Sequence, residues 1–356
     1  MTQSTGGPVA HPRSFLGEVR DAVTPRATLL VLGVIALMLL FITSYVGALH
    51  HPALRGASVG VVAPPPVAKE TVTRLEKLPG SPLDPRAVAD EATARRQIED
   101  RDVDGALVVD PEGTTDTLLV ATGGGTALAT ALERLFTEVE RDERRTLRVE
   151  DVAPASAQDA NGLSSFYVVV GWCVGGYLCA SILAISSGAR ASTPRRAAIR
   201  LGAMAVVAVL GGLGGALIAG PALDALPDGF AGLWGLGALI IFAVGAATLA
   251  LQAVFGVIGI GVAILIVVIL GNPSSGGALP GPLLPPFWAA IGPALPPGAG
   301  TWAARSIVYF RGNDVTGPLL VLSAWAVAGT VVTVLMSALR RRPEPEPSRT
   351  ARGSGA

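Results

Sequence analysis

Charge is scarce in this chain, and the places from which it is missing are the most informative. Only 15% of residues are Asp, Glu, Lys or Arg, against about 25% in a typical soluble domain. Charges crowd into 11–26, 50–160, 190–200 and 340–352, and the apolar runs between them hold no Asp, Glu, Lys, Arg or His. Ion-coupled transporters and proton relays need a group that changes charge inside the membrane, so the absence of one argues against both. It also argues against an intramembrane metalloenzyme: His11, His50 and His51 lie outside the apolar runs, and no His-Glu-x-x-His occurs. The two cysteines, Cys173 and Cys179, are too few for a disulfide framework. Six residues apart in an apolar helix, they fall on different faces. The net charge is zero, which gives no reason to expect a nucleic-acid partner. Lysine is almost absent, at positions 69 and 77 only, while Gly (44) and Pro (27) abound. That is the coding bias of a G+C-rich bacterial genome, and a bacterial plasma-membrane protein is expected.

Such a block pattern belongs to a chain divided between water and hydrocarbon. The first apolar run, 27–49, has the length of a membrane helix. It is longer than a signal-peptide core and no small-x-small cleavage site follows it, so it reads as a retained span. Runs 165–187, 201–220 and 317–339 each fit one more. Run 231–271 is twice as long as one span needs, which predicts two helices joined by a turn at Gln252 or near Gly256. The expected fold is therefore an α-helical polytopic membrane protein with six transmembrane helices and an inserted extracytoplasmic α/β domain. Its segments are a cytoplasmic tail (1–26), the first span (27–49), the domain (50–164), a five-helix bundle (165–339) and an Arg/Pro-rich cytoplasmic tail (340–356). Orientation follows the arginines. Arg13, Arg20 and Arg26, then Arg190, Arg195, Arg196 and Arg200, then the arginines after 340 all fall on one side when there are six spans.

Within the domain, alternating patterns predict strands at 58–63, 105–109, 117–121 and 146–152 and helices at 86–100 and 126–141, with Pro64–Pro66 stopping the first strand. Thr122-Gly123-Gly124-Gly125-Thr126 stands between a strand and a helix, where phosphate loops sit. No Gly-Lys-Ser/Thr follows, so it reads as a flexible turn. His50-His51 reads as a polar edge at the membrane boundary rather than a metal site. No catalytic, cofactor or metal set is found, and no enzyme is expected. The loop 272–316 holds eight prolines between 273 and 297 and no charge there. It is too apolar for a free linker and too rich in proline for a regular span, so it should be interfacial or re-entrant.

Two further patterns point to contacts. Phe15, Leu16, Val19 and Val23 share one face of a short helix before the first span, which predicts a surface helix on the membrane. Gly171 with Gly175, and Gly211 with Gly215, have the spacing that lets helices approach closely, within the chain by default or against a second copy.

The layout resembles that of the larger type 2 ABC exporter permeases, and equally that of the YhgE/Pip-like membrane proteins. The residues that carry the resemblance are Arg101-Asp102-Val103-Asp104-Gly105-Ala106-Leu107-Val108-Val109, Gly271-Asn272-Pro273-Ser274-Ser275-Gly276-Gly277, Leu284-Pro285-Pro286-Phe287-Trp288 and Ile291-Gly292-Pro293-Ala294-Leu295-Pro296. The resemblance implies a homodimer in the lipid bilayer that passes, or helps pass, a substrate outward, and the apolar outer loop favours a hydrophobic or lipidic one. A separate cytoplasmic ATPase would dock on Phe15, Leu16 and Val19 of the surface helix and on Arg195 and Arg196 of the loop 188–200. The YhgE/Pip-like alternative supports secretion or surface interactions without an ATPase.

Overall fold

The computed structural model describes residues 24–188, 191 and 193–339. Five helices are long and apolar enough to cross a membrane, which makes this a multi-pass membrane protein. The first, α1 (Pro25–Leu49), turns nearly all its large side chains outward: Leu29, Val34 and Val46 are 70, 65 and 57% exposed. Such an apolar surface is tolerable against lipid and not against water.

The α/β domain follows. Its elements are β1 (Ala57–Val62), α2 (Pro65–Glu76), β2 (Leu83–Val88), α3 (Glu91–Glu99), β3 (Gly105–Val108), β4 (Thr115–Val120), α4 (Thr126–Asp142) and β5 (Thr146–Asp151). The sheet order is β2-β1-β3-β4-β5, parallel except for the β3–β4 hairpin. One helix expectation and one break need correcting. Residues 83–88 are an edge strand, in register Ala57↔Leu83 to Val62↔Val88, and not the start of a helix. The helix begins only at Glu91, after Asp90, whose side chain accepts from the Thr93 amide at 2.7 Å. Pro64–Pro66 do end β1, but Pro65 and Pro66 also open α2, since the first helical turn tolerates proline.

Inside this domain Glu140, on the last turn of α4, is 1% exposed, and neither carboxyl oxygen has a hydrogen-bond partner. Beside it, buried Asp116 on β4 accepts from Arg145 Nε (2.8 Å) and Nη2 and from the Asp110 amide (2.8 Å). Burial, then the neighbouring Asp116, push the Glu140 carboxyl up to about 7; Glu143 adds to this and Arg145 opposes it. The native state therefore holds a proton that the unfolded chain has released, and stability falls as pH rises from about 4.5 to about 7. Glu140→Gln should remove this slope, leaving the variant more stable than the parent by roughly 2 kcal/mol at about pH 8 and level with it at about pH 5. Thermal unfolding at the two pH values checks it, and parallel curves for both proteins would refute it.

The bundle holds α5 (Ser164–Ser187), α6 (Pro194–Leu217, extended by a wide π-turn to Ala222), α7 (Phe230–Phe255), α8 (Ile258–Ile264, continued as π-helix to Gly271), α9 (Pro286–Ile291), α10 (Pro296–Tyr309) and α11 (Thr316–Leu339). Its central member is α7, against which α5, α6 and α11 all pack. Close approach rests on glycine: a Cβ at Gly212 would lie 2.6 Å from Ala238 N, one at Gly176 2.8 Å from Ile241 O, and one at Gly329 2.5 Å from Ala247 N. Trp172 against Gly237 and Gly176 against Ile241 set α5 parallel to α7, while Met204 against Gly245 and Gly212 against Ala238 set α6 antiparallel to it.

The run 231–271 divides as expected, with the break at Gly256 (φ +66°). Its second half is short. Seven residues of α-helix and seven of π-helix span at most about 21 Å, less than a hydrocarbon core of about 30 Å. Yet α8 leaves the end of α7 that carries Gln252, next to Ala180 of α5. It delivers the chain to Gly277, against Phe166 at the start of α5. It thus returns the chain to the end of the bundle that bears the domain.

Candidate functional site

Residues 272–314, the proline-rich segment with α9 and α10, fold into the space between bundle and domain, and the junction is densely bonded. Arg305 on α10 is 4% exposed and donates to the carbonyls of Gly276 (2.7 Å), Gly277 (2.8 Å) and Gly162 (3.1 Å). Burial pulls its guanidinium down to about 10, so it stays cationic at neutral pH. No carboxylate lies within ion-pair distance of it among the described residues. Arg101, from the domain, lies over the Trp302 ring at 3.5 Å and donates to Trp302 O (3.0 Å) and Ser306 Oγ (2.7 Å). Burial first, then the charge of Arg305, lower Arg101 to about 9. Tyr309 donates to Asp159 Oδ2 at 2.9 Å, while Asp159 Oδ1 accepts from the Leu163 and Ser164 amides at the start of α5. Asn313 donates to Glu99 O and Asp100 Oδ1. Leu283 enters the core of the domain itself.

The triple-glycine turn belongs to this junction. It does link β4 to α4, but it is a packed contact and not a flexible turn. A Cβ at Gly123 would come 2.6 Å from Tyr309 Cγ, and one at Gly125, whose φ of +143° already favours glycine, 2.4 Å from Pro280.

Beside the junction is a cavity of about 460 Å³, within the range of ligand pockets. Leu284, Pro293, Ala299, Trp302, Pro318 and Val321 form much of its apolar wall, with Ser274, Ser275 and Asp314 as its polar groups. Asp314 is exposed, and its Oδ2 accepts from Trp302 Nε1 at 3.0 Å.

The residues singled out from the sequence lie elsewhere. Phe15, Leu16 and Val19 are outside the described residues. Arg195 and Arg196 are not in a loop: they occupy the first turn of α6, exposed, behind Pro194 at the N-terminus and a Thr193 cap on the Arg196 amide at 3.3 Å. Only 188–193 separates α5 from α6, because Thr193-Pro194 is a strong helix start. A Cβ at Gly171 or Gly175 would meet nothing within 4 Å, whereas those at Gly211 and Gly215 would strike Ile241 and Trp172. The α5 glycine that touches a neighbouring backbone is Gly176. The junction itself escaped the sequence reading, although one signal was available: Arg305 is the only charge between 272 and 310.

No protein-family model, curated protein or solved structure matches this chain.

Proposed function

We propose that this chain is a permease-like subunit that handles a hydrophobic or lipidic molecule at the outer face of a bacterial membrane, moving it outward with energy from a separate cytoplasmic ATPase. The cavity carries this reading. It is apolar, of ligand size, and walled by the segment that is clamped to the α/β domain, so a change in either can reach the other. Support for an external domain comes from charge. The α5–α6 side of the bundle bears Arg195, Arg196 and Arg200, and the α6–α7 connection at the domain end bears only Asp224 and Asp228. Counting α8 as a short crossing gives six crossings, with both termini in the cytoplasm. A homodimer with glycines 171 and 175 in its contact is part of this proposal.

The YhgE/Pip-like reading, with no ATPase, draws on a different observation: the short 188–193 link leaves little surface for a motor to grip. Replacing both Arg195 and Arg196 with Glu separates the two. The exposed charges contribute little to stability, so once correct insertion has been verified, export and ATPase co-purification should both fall about tenfold or more. Normal export with no ATPase recovered from detergent extracts would remove the ABC reading. Labelling of a cysteine at position 195 by an impermeant external reagent would remove the topology.

A further inference from the structure

The polar groups of the cavity narrow what it can hold. Every side-chain donor on its wall is already committed: Ser274 Oγ donates to Leu270 O at 2.7 Å, Ser275 Oγ to Asn272 O at 2.7 Å, and Trp302 Nε1 to Asp314 Oδ2 at 3.0 Å. No Lys, Arg or His lines it. Among the side chains, what remains is acceptor capacity, chiefly Asp314, whose Oδ1 accepts no hydrogen bond from the described residues and whose carboxylate is in no ion pair among them. Arg101, over the Trp302 ring, feels the charge of Asp314 but does not line the cavity, so an anionic head group would meet that carboxylate with no side-chain donor on the wall to offset it. A cationic donor would gain a charge-assisted hydrogen bond.

Two exposed glycines add room to the cavity. Gly281 and Gly317 both line the cavity, and a Cβ on either would meet nothing within 4 Å. Neither has a positive φ, so backbone geometry does not require glycine at these positions. Both are exposed, and their effect is to leave open space beside the apolar wall that a ligand or lipid tail can fill.

We infer that the cavity binds an amphiphile with a hydrocarbon tail and a protonated amine head, the tail against Leu284, Pro318 and Val321 and the ammonium on Asp314. This names a substrate class for the site on which the proposed function rests, and it stands or falls by binding, not by export.

The test uses the full chain in phosphatidylcholine nanodiscs and three brominated probes of equal length: octadecylamine, octadecanol and stearic acid. Bromine quenches tryptophan on contact, and the signal of Trp302 is isolated by subtracting the Trp302→Phe protein. The amine should quench that component at about one-tenth the mole fraction needed for the acid. Asp314→Asn should bring amine and alcohol level, while Gly317→Phe, or Gly281→Phe should the first not fold, should abolish quenching by all three. Equal quenching by amine and acid in the parent overturns the proposal, as does equal quenching by amine and alcohol, or quenching that survives both filled-cavity variants. Binding as expected without export would leave this inference standing and remove the exporter reading alone.

Discussion

Arg305→Leu is expected to separate the α/β domain from the bundle and to lower the unfolding temperature of the full chain by roughly ten degrees. Three carbonyls, on Gly162, Gly276 and Gly277, have the Arg305 guanidinium as a donor. Leaving a buried acceptor unpaired costs about 1–3 kcal/mol, and here three are stranded at once. Against this, the substitution relieves the cost of burying a cation without a carboxylate partner. It also relieves the repulsion that Arg305 exerts on Arg101. The loss outweighs the relief because the guanidinium is satisfied at two of its three nitrogens, and only Nε lacks a partner. Arg305→Lys should fall between parent and leucine, since an ammonium cannot span carbonyls from two separate segments as the planar fork does. Differential scanning fluorimetry in detergent, with limited proteolysis between 155 and 165, reads both effects. An unfolding temperature for Arg305→Leu within about two degrees of the parent, with no new cleavage, would show that the junction is held by its apolar contacts instead.

That expectation also bears on whether the domain is independent. Alternating strands and an amphipathic α4 gave every sign of a self-contained unit, and most of its core is indeed its own: Val59, Leu107, Leu118, Leu132 and Phe136 are all buried within it. But Leu283 completes that core from the proline-rich segment. Arg55 donates its amide to Pro282 O at 2.9 Å, and Arg101 reaches across to Trp302. A domain cut out at 53–160 would expose all three sites.

How much could be read from the sequence depended on the range over which each feature acts. Membrane helices are encoded by a local property, a long run without charge, and 165–187 and 317–339 match α5 and α11 to within a residue or two. Strands β1, β3, β4 and β5 are also local, because short β-branched runs lie between turn residues. Strand β2 was missed because its sequence, Leu83-Asp84-Pro85-Arg86-Ala87-Val88, has neither an alternating apolar face nor β-branched density. Its pairing with β1 is what makes it a strand, and that pairing is twenty-odd residues away. The cavity and junction are less local still. Arg101 and Trp302 are 201 residues apart, and nothing in either neighbourhood announces the other. Glycine spacing was informative only in part, for a related reason: Gly211 and Gly215 meet Ile241 and Trp172, while a Cβ at 171 or 175 meets nothing within the described residues, because the register of α5 on α7 selects Gly176 instead.

Gly292→Ala and Gly317→Ala place the same methyl group on the same cavity wall, and they are expected to differ sharply. At Gly292 the new Cβ would lie 1.9 Å from Ser274 O, a backbone atom that cannot rotate away, and a Cβ at Gly298 would in turn lie 2.0 Å from Gly292 O. Three strands of backbone are stacked there, so relief requires moving the proline-rich segment as a unit, with Gly276 and Gly277 and hence two acceptors of Arg305 attached to it. Overpacking of this kind costs about 1–3 kcal/mol when side chains can yield and more when they cannot; a loss of at least roughly 3 kcal/mol, with collapse of amine binding, is expected. At Gly317 a methyl meets nothing within 4 Å and replaces glycine in the first turn of α11, where alanine reduces the freedom of the unfolded chain and stabilises by about 0.4–1 kcal/mol. It also takes up a little of the cavity, so amine affinity should fall only slightly, well short of the loss expected for Gly317→Phe. Urea-free thermal unfolding and the bromine-quenching titration, run on both proteins, give the comparison. If Gly292→Ala is as stable as the parent while Gly317→Ala is the damaging change, then the packing of α9, α10 and the chain at Ser274 is not as described, and the cavity those elements enclose would have to be redrawn with it.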